Sequence, residues 1–184
     1  NIVRMSEHFK FLKSKIEGLC IIQRSLIEDD RGFFSRFFCE EEYKKIGFGQ
    51  SIKQINHTFT KKKGSLRGMH FQTKPFQEIK IVRCIKGKVF DVAVDIRKDS
   101  PTFLQWHGEI LSADKGTSLY IPEGFAHGFQ TLTNNCELLY IHSEFYKQDA
   151  EGVLNAFDPK INISWPLEVT EMSDRDRNSP LIDE

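Results

Sequence analysis

The chain has 184 residues, with 26 basic and 26 acidic side chains, so its formal net charge is zero. That length suits one domain with its own core. The charge balance argues against a broad nucleic-acid footprint, which needs a basic surplus, and no apolar run approaches the ~20 residues of a membrane-spanning helix. Sixteen phenylalanines and twelve glycines point to a β-rich fold with many turns. The four cysteines, Cys20, Cys39, Cys84 and Cys136, are scattered and form no CxxC pair, which excludes a zinc ribbon. Such cysteines fit a reducing compartment. With no cationic, apolar leader at the start of the sequence, the expectation is a soluble cytoplasmic protein.

The first residues read as a mixed segment. "GLCIIQRSLIEDDRG" then alternates as a strand running into a turn at Asp30, Arg31 and Gly32. "CEEEYKKIG" predicts one short helix stopped by Gly47. Strands dominate from about residue 50, in "SIKQINHTFT", "SLRGMHFQ", "IKIVRCIKGKVFDVAVDIRK", "TFLQWHGEILS", "TSLYIPEGFAHGFQTLT" and "CELLYIHSEFY". Turn residues separate them: Lys63-Gly64, Lys86-Gly87, Asp99-Ser100-Pro101, Lys115-Gly116 and Asn134-Asn135. Strands at such regular spacing indicate a sandwich or barrel.

"VFDVAVDI" sets Phe90, Val92, Val94 and Ile96 against Asp91, Ala93 and Asp95. A barrel wall lining a wet pocket has this pattern, and so does an ordinary half-exposed strand, which is the commoner case. "AFDPKINISWPLEVTEMSDRDRNSP" has little periodicity and reads as an arm wrapping the body. With no repeat, linker or low-complexity tract, residues 1–184 are expected to form a single domain.

A barrel with histidines invites a metal site. The spacing from Gly64 to His70, and the set Gly116, Pro122, Gly124 and His127, follow the backbone signature of cupins. The second histidine of the first motif is replaced by Gln72, and Glu78 falls one residue late. Two histidines and a glutamine make a poor first-row metal site, so no metal is expected. His70 could instead take a proton from carbon, if an acid fixes its tautomer. A developing enolate needs a cation near its oxygen, and the opposite face needs a proton donor. Lys80, Tyr140 and the acids Asp174 and Asp176 are candidates. Taken singly, the lysine is usually solvated, the tyrosine usually core, and "DRDR" usually a surface charge run.

From about Ile22 to Pro180 the motifs "DDRGFF", "SLRGMHFQ", "IKIVRCIKGKVFDVAVDIRKDSPTF", "LYIPEGFAHGFQTL", "ELLY", "FDPKINISWP" and "SDRD" follow in order. In these the chain resembles the dTDP-4-dehydrorhamnose 3,5-epimerase family. The resemblance implies an all-β cupin jelly-roll barrel with a few short helices and terminal arms. It implies a homodimer in which part of each N-terminal region completes the partner's site, and an isomerase without cofactor or metal. The implied substrate is a nucleotide 4-keto-6-deoxy sugar, feeding deoxysugar synthesis for surface polysaccharide. Neither nucleic acid nor membrane is an implied partner.

Carried over by motif, His70 is the implied general base and Asp176 its orienting carboxylate. Tyr140 is the implied proton donor, and Lys80 lies near the keto oxygen. Arg67 and His127 contact substrate, with Arg31, Gln54 and Asn56 near the nucleotide and Tyr146 stacking on the base. Glu151 and Arg175 belong to the pocket rim. In "RGFFSRFF", Arg36 stands where the family often has a glutamate near the base. Arginine cannot accept hydrogen bonds, which leaves the nucleobase open. A single epimerisation, or a ketone shift, is the alternative outcome on the same fold.

Overall fold

In a computed structural model, which describes residues 2–182, strands form where alternating apolar side chains can be covered on both sides. Residues 1, 183 and 184 of the expected domain lie outside the described residues. In chain order the elements begin with β1 (Ile2–Met5), β2 (Phe9–Lys13), β3 (Cys20–Arg24), β4 (Ile27–Asp29) and β5 (Gly32–Phe34). Then come α1 (Glu40–Lys44), β6 (Gln54–Thr60), β7 (Leu66–Gln72), β8 (Lys80–Lys86) and β9 (Lys88–Asp95). They continue with β10 (Trp106–Ser112), β11 (Thr117–Ile121), β12 (Phe125–Thr131) and β13 (Cys136–His142). A 3-10 turn (Gln148–Ala150), β14 (Glu151–Val153) and α2 (Asp174–Arg177) complete the described chain.

Two antiparallel sheets face each other. One has seven strands in the order β1-β2-β3-β11-β8-β13-β6, the other five in the order β10-β9-β12-β7-β14. β4 and β5 form a separate hairpin. Val82, Leu119 and Leu138 of the larger sheet meet Val89, Ala93, Leu111 and Phe129 of the smaller one in a shared core. This is the expected all-β jelly-roll barrel.

Each outer face has its own cover. Over the larger sheet, residues 37–52 bring Tyr43 and Phe48, both fully buried, onto Phe9, Phe11 and Ile81. α1 here is one turn, with three glutamates at its start and Lys44 at its end, matching the helix dipole. Over the smaller sheet, the C-terminal arm lays Ile161, Trp165 and Met172 on Val92, Val94 and Met69. The arm is tied by Leu66 N donating to Glu171 O and by the Gln130 amide donating to Leu167 O.

The strand "VFDVAVDI" therefore has both faces buried. Its apolar side, Phe90, Val92 and Val94, points outward under the arm. Its aspartates point into the barrel, where Asp91 and Asp95 are fully buried. Neither alternative holds as read: the strand is not half-exposed, and its aspartates are buried without lining the cavity or groove described below. The first residues, read as a mixed segment, form the edge strand β1 and its neighbour β2, where Phe9 and Phe11 are fully buried.

Candidate active site

One end of the barrel interior is polar and open. A cavity of about 260 Å³ is walled by residues of six strands and adjoins a groove of about 780 Å³ beneath the arm. The strands approach closely at its floor. A Cβ on Gly68 would lie 2.5 Å from the Gly128 Cα, so only paired glycines let β7 and β12 run this near. The result is that His70 and His127 sit opposite each other in register.

Asp176 reaches His70 from the arm. Its Oδ1 is 2.7 Å from His70 Nε2, and its Oδ2 accepts the Gly68 amide at 3.1 Å. Ser173 caps α2 by accepting the Asp176 amide, which fixes the carboxylate's position. Burial raises the Asp176 carboxyl, but the hydrogen bonds from His70 and Gly68 outweigh it and hold the group below its usual range. An ionised Asp176 accepts the Nε2 proton, so His70 Nδ1 carries the lone pair. The imidazole is one-third exposed and lines both the cavity and the groove.

Tyr140 enters from the opposite sheet. Its hydroxyl accepts from Thr58 Oγ1 at 3.5 Å, which leaves its own proton to donate. Burial pushes the phenol well above its ordinary value, so it stays protonated. Two imidazoles flank the ring, His127 edge-on at 5.8 Å and His142 tilted at 6.1 Å between centroids. Each is held by a buried acid. Asp91 Oδ1 is 2.7 Å from His127 Nε2, and Glu78 Oε2 is 2.8 Å from His142 Nδ1. The other Glu78 oxygen is 3.2 Å from Lys80 Nζ.

Burial raises the Glu78 carboxyl, yet His142 and Lys80 together keep it below the usual range. Burial dominates at Asp91, whose carboxyl is pushed up in spite of His127. Asp91, Glu78 and His142 were not among the sequence candidates for binding or catalysis. The aspartate face of "VFDVAVDI" was the signal for the first. The two-residue step from Tyr140 to His142 in "LLYIH" was the signal for the last.

The remaining candidates separate into two groups. Gln54, Asn56, Arg67, Tyr146 and Glu151 line the cavity, and Arg175 lines the groove. At the rim, Glu151 accepts from the Tyr146 hydroxyl at 2.9 Å and pairs with Arg175 at 2.9 Å. Arg31 and Arg36 do not line this chain's cavity. Arg31 projects from the β4–β5 hairpin and pairs with Asp29, while Arg36 is 3.3 Å from Glu42. Gln72 borders the cavity with its amide committed to backbone: it donates to Phe76 O at 2.8 Å and accepts from Lys147 N at 2.7 Å.

The geometry thus offers an imidazole, a protonated phenol and an ammonium on the wall of one cavity. Comparison with known proteins identifies the family. The family model for dTDP-4-dehydrorhamnose 3,5-epimerase matches residues 13–184. The dTDP-4-dehydrorhamnose 3,5-epimerase of Salmonella typhimurium is 43% identical over 175 residues, 94% of this chain and 95% of the relative. A crystal structure of the Bacillus anthracis enzyme of that name, with TDP and PPi bound, superposes with TM-score 0.91 at 37% identity, covering 95% of this chain and 99% of that one. The dTDP-6-deoxy-D-glucose-3,5-epimerase of Legionella pneumophila, in complex with dTDP-4-keto-L-rhamnose, gives 0.90 at 38% identity, covering 95% and 93%. The chain therefore belongs to the dTDP-4-dehydrorhamnose 3,5-epimerase family of isomerases.

Proposed function

We propose that this chain inverts C3 and C5 of a nucleoside-diphosphate 4-keto-6-deoxy sugar, without cofactor or metal. The observation that carries the reading is the His70–Asp176 pair at 2.7 Å, on the cavity wall facing a buried, protonated Tyr140. The C4 ketone acidifies the hydrogens on its two neighbours. His70 Nδ1 takes one, and the electron pair moves onto the carbonyl oxygen to give an enolate. Lys80, the cation on the Tyr140 side of the cavity, stabilises that oxygen. Tyr140 then delivers a proton to the opposite face, and the carbon is inverted. Transfer at the second carbon repeats the step. Acid–base groups of this kind each contribute roughly 10²–10⁴-fold.

Arg67 and the rim residues Tyr146, Glu151 and Arg175 suit the nucleotide end, with guanidinium groups for diphosphate. Two copies are proposed to assemble. Ile55 and Phe59 are exposed on the edge strand β6, and Phe33 and Phe34 on the β4–β5 hairpin. A second copy would cover this apolar surface, and Arg31 and Arg36 would then serve the partner's cavity. Incubation of candidate nucleotide 4-keto sugars in D₂O, followed by NMR, tests the chemistry. Deuterium at both C3 and C5 is expected. Label at one carbon reduces the reading to a single epimerisation, and label at neither ends it.

A further inference from the structure

Glu78 and His142, which cluster with Lys80, have no place in the proton transfers above. Lys80 and His142 are register partners on adjacent strands, β8 and β13. Glu78 bridges them, with one carboxylate oxygen on Nζ and the other on Nδ1. All three side chains are nearly buried and border the same cavity. The second nitrogen of His142, Nε2, is buried and has no hydrogen-bond partner among the described residues. A buried polar atom without a partner costs stability, and this one belongs to a side chain on the cavity wall, where a ligand group could meet it.

The tautomer says which kind of group. Ionised Glu78 accepts the Nδ1 proton of His142, so Nε2 is an acceptor. A ring hydroxyl is the donor a sugar supplies. Its place follows from Lys80. In an α-hydroxyketone the hydroxyl oxygen lies next to the carbonyl oxygen, and here an ammonium and an imidazole are held side by side by one carboxylate.

Building on the function proposed above, we infer that Lys80 and His142 form a clamp for an α-hydroxyketone. Lys80 binds the carbonyl oxygen, and His142 Nε2 accepts the proton of the hydroxyl on the adjacent carbon, C3 in a 4-keto sugar. His142 is then a specificity-determining residue. Glu78 is a positioning residue that sets both heads of the clamp. The other unattributed polar cluster, around Arg83 and Arg24, packs on the Phe37 ring under residues 37–52 and borders none of the cavities described here.

The test pairs two substrates with three proteins. The substrates are a nucleotide 4-keto-6-deoxy sugar and its 3-deoxy analogue, which keeps the exchangeable C5 hydrogen. The proteins are wild type, His142→Phe and His142→Gln. Exchange at C5 in D₂O gives kcat and KM for each pair, and binding of the free nucleoside diphosphate is measured alongside. For wild type, the missing hydroxyl should raise KM about tenfold, the scale of one hydrogen bond. In His142→Phe the KM for the hydroxylated substrate should rise by a similar factor and the preference between substrates should vanish, with nucleoside diphosphate affinity unchanged. His142→Gln, whose amide oxygen can accept a hydroxyl, should restore part of the preference, and it serves as the test variant should the phenylalanine variant not fold. Equal preference in wild type and both variants overturns the clamp. Wild-type protein that exchanges neither hydrogen on the 3-hydroxy substrate overturns the underlying function and the clamp with it.

Discussion

Asp91 and His127 lie on adjacent strands of the smaller sheet, with Oδ1 and Nε2 2.7 Å apart and both side chains almost wholly buried. The other oxygen of Asp91 has no hydrogen-bond partner among the described residues. Among the described residues, His127 makes the hydrogen bond that holds the acid. An asparagine keeps the shape and the acceptor but removes the charge. Asp91→Asn should lower kcat/KM about tenfold, the scale of one charge-assisted hydrogen bond. Steady-state kinetics would show it, and an unchanged rate would remove His127 from the substrate-handling set.

Base and acid should separate under isotope labelling. His70→Asn should abolish deuterium uptake at both carbons. Tyr140→Phe leaves the base in place, so uptake should continue at a carbon that no longer inverts. NMR in D₂O reads both outcomes from the same sample. Inversion at full rate in Tyr140→Phe would assign the donor elsewhere.

The pH response follows from two directions of shift. Hydrogen bonds hold the Asp176 and Glu78 carboxyls below their usual range against the opposing effect of burial. The stability these groups contribute is complete above the unfolded-state value of ~4 and is lost as pH falls through the lower folded values. Tyr140 has the opposite sign. Burial raises its folded value, so the favourable state is the neutral phenol, and stability declines as pH rises beyond the ordinary ~10. Denaturant midpoints across pH should fall on both sides. An alkaline drop in kcat near the ordinary phenol value would contradict the assignment of Tyr140 as a buried acid.

Asp95 anchors the turn after β9. Its buried carboxylate accepts from the Arg97 amide and guanidinium, from Ser100 Oγ at 2.6 Å and from Thr102 Oγ1 at 2.7 Å. Asp95→Asn removes the charge from a buried carboxylate paired with the partly exposed Arg97 and should cost about 2 kcal/mol of stability. A shift in the denaturant midpoint with an unchanged slope is the expected result.

Subunit exchange tests the proposal that two copies share a site. Arg31→Ala and His70→Asn proteins should each turn over poorly. Dimers formed from one chain of each carry one site with His70 and the partner's arginine both present, so activity should reappear on co-expression. No recovery, or a mass near the monomer value of 21.4 kDa in solution, would confine the site to a single chain.

Much of this molecule could be read in its sequence, because turns and alternation are local. Gly64, Gly87, Gly116 and Asn135, four of the expected turn residues, adopt positive φ between strands. What could not be read depended on distant partners. "SDRD" has the composition of a solvated face, yet Asp176 is 3% exposed because the arm packs on β7. Phe9 and Phe11 flank a lysine in a short strand, and only the cover at Tyr43 shows their burial. Glu78 and His142 are 64 residues apart and gain meaning only when β8 and β13 pair.

On the function proposed above, the arm that carries Asp176 also sets when the protein becomes chemically competent. During synthesis, His70 leaves the ribosome 106 residues ahead of the acid that aims it. Both sheets are already in hand by Val153, before α2 is translated. The nascent barrel is therefore born idle, and its final stretch of chain works as the firing pin.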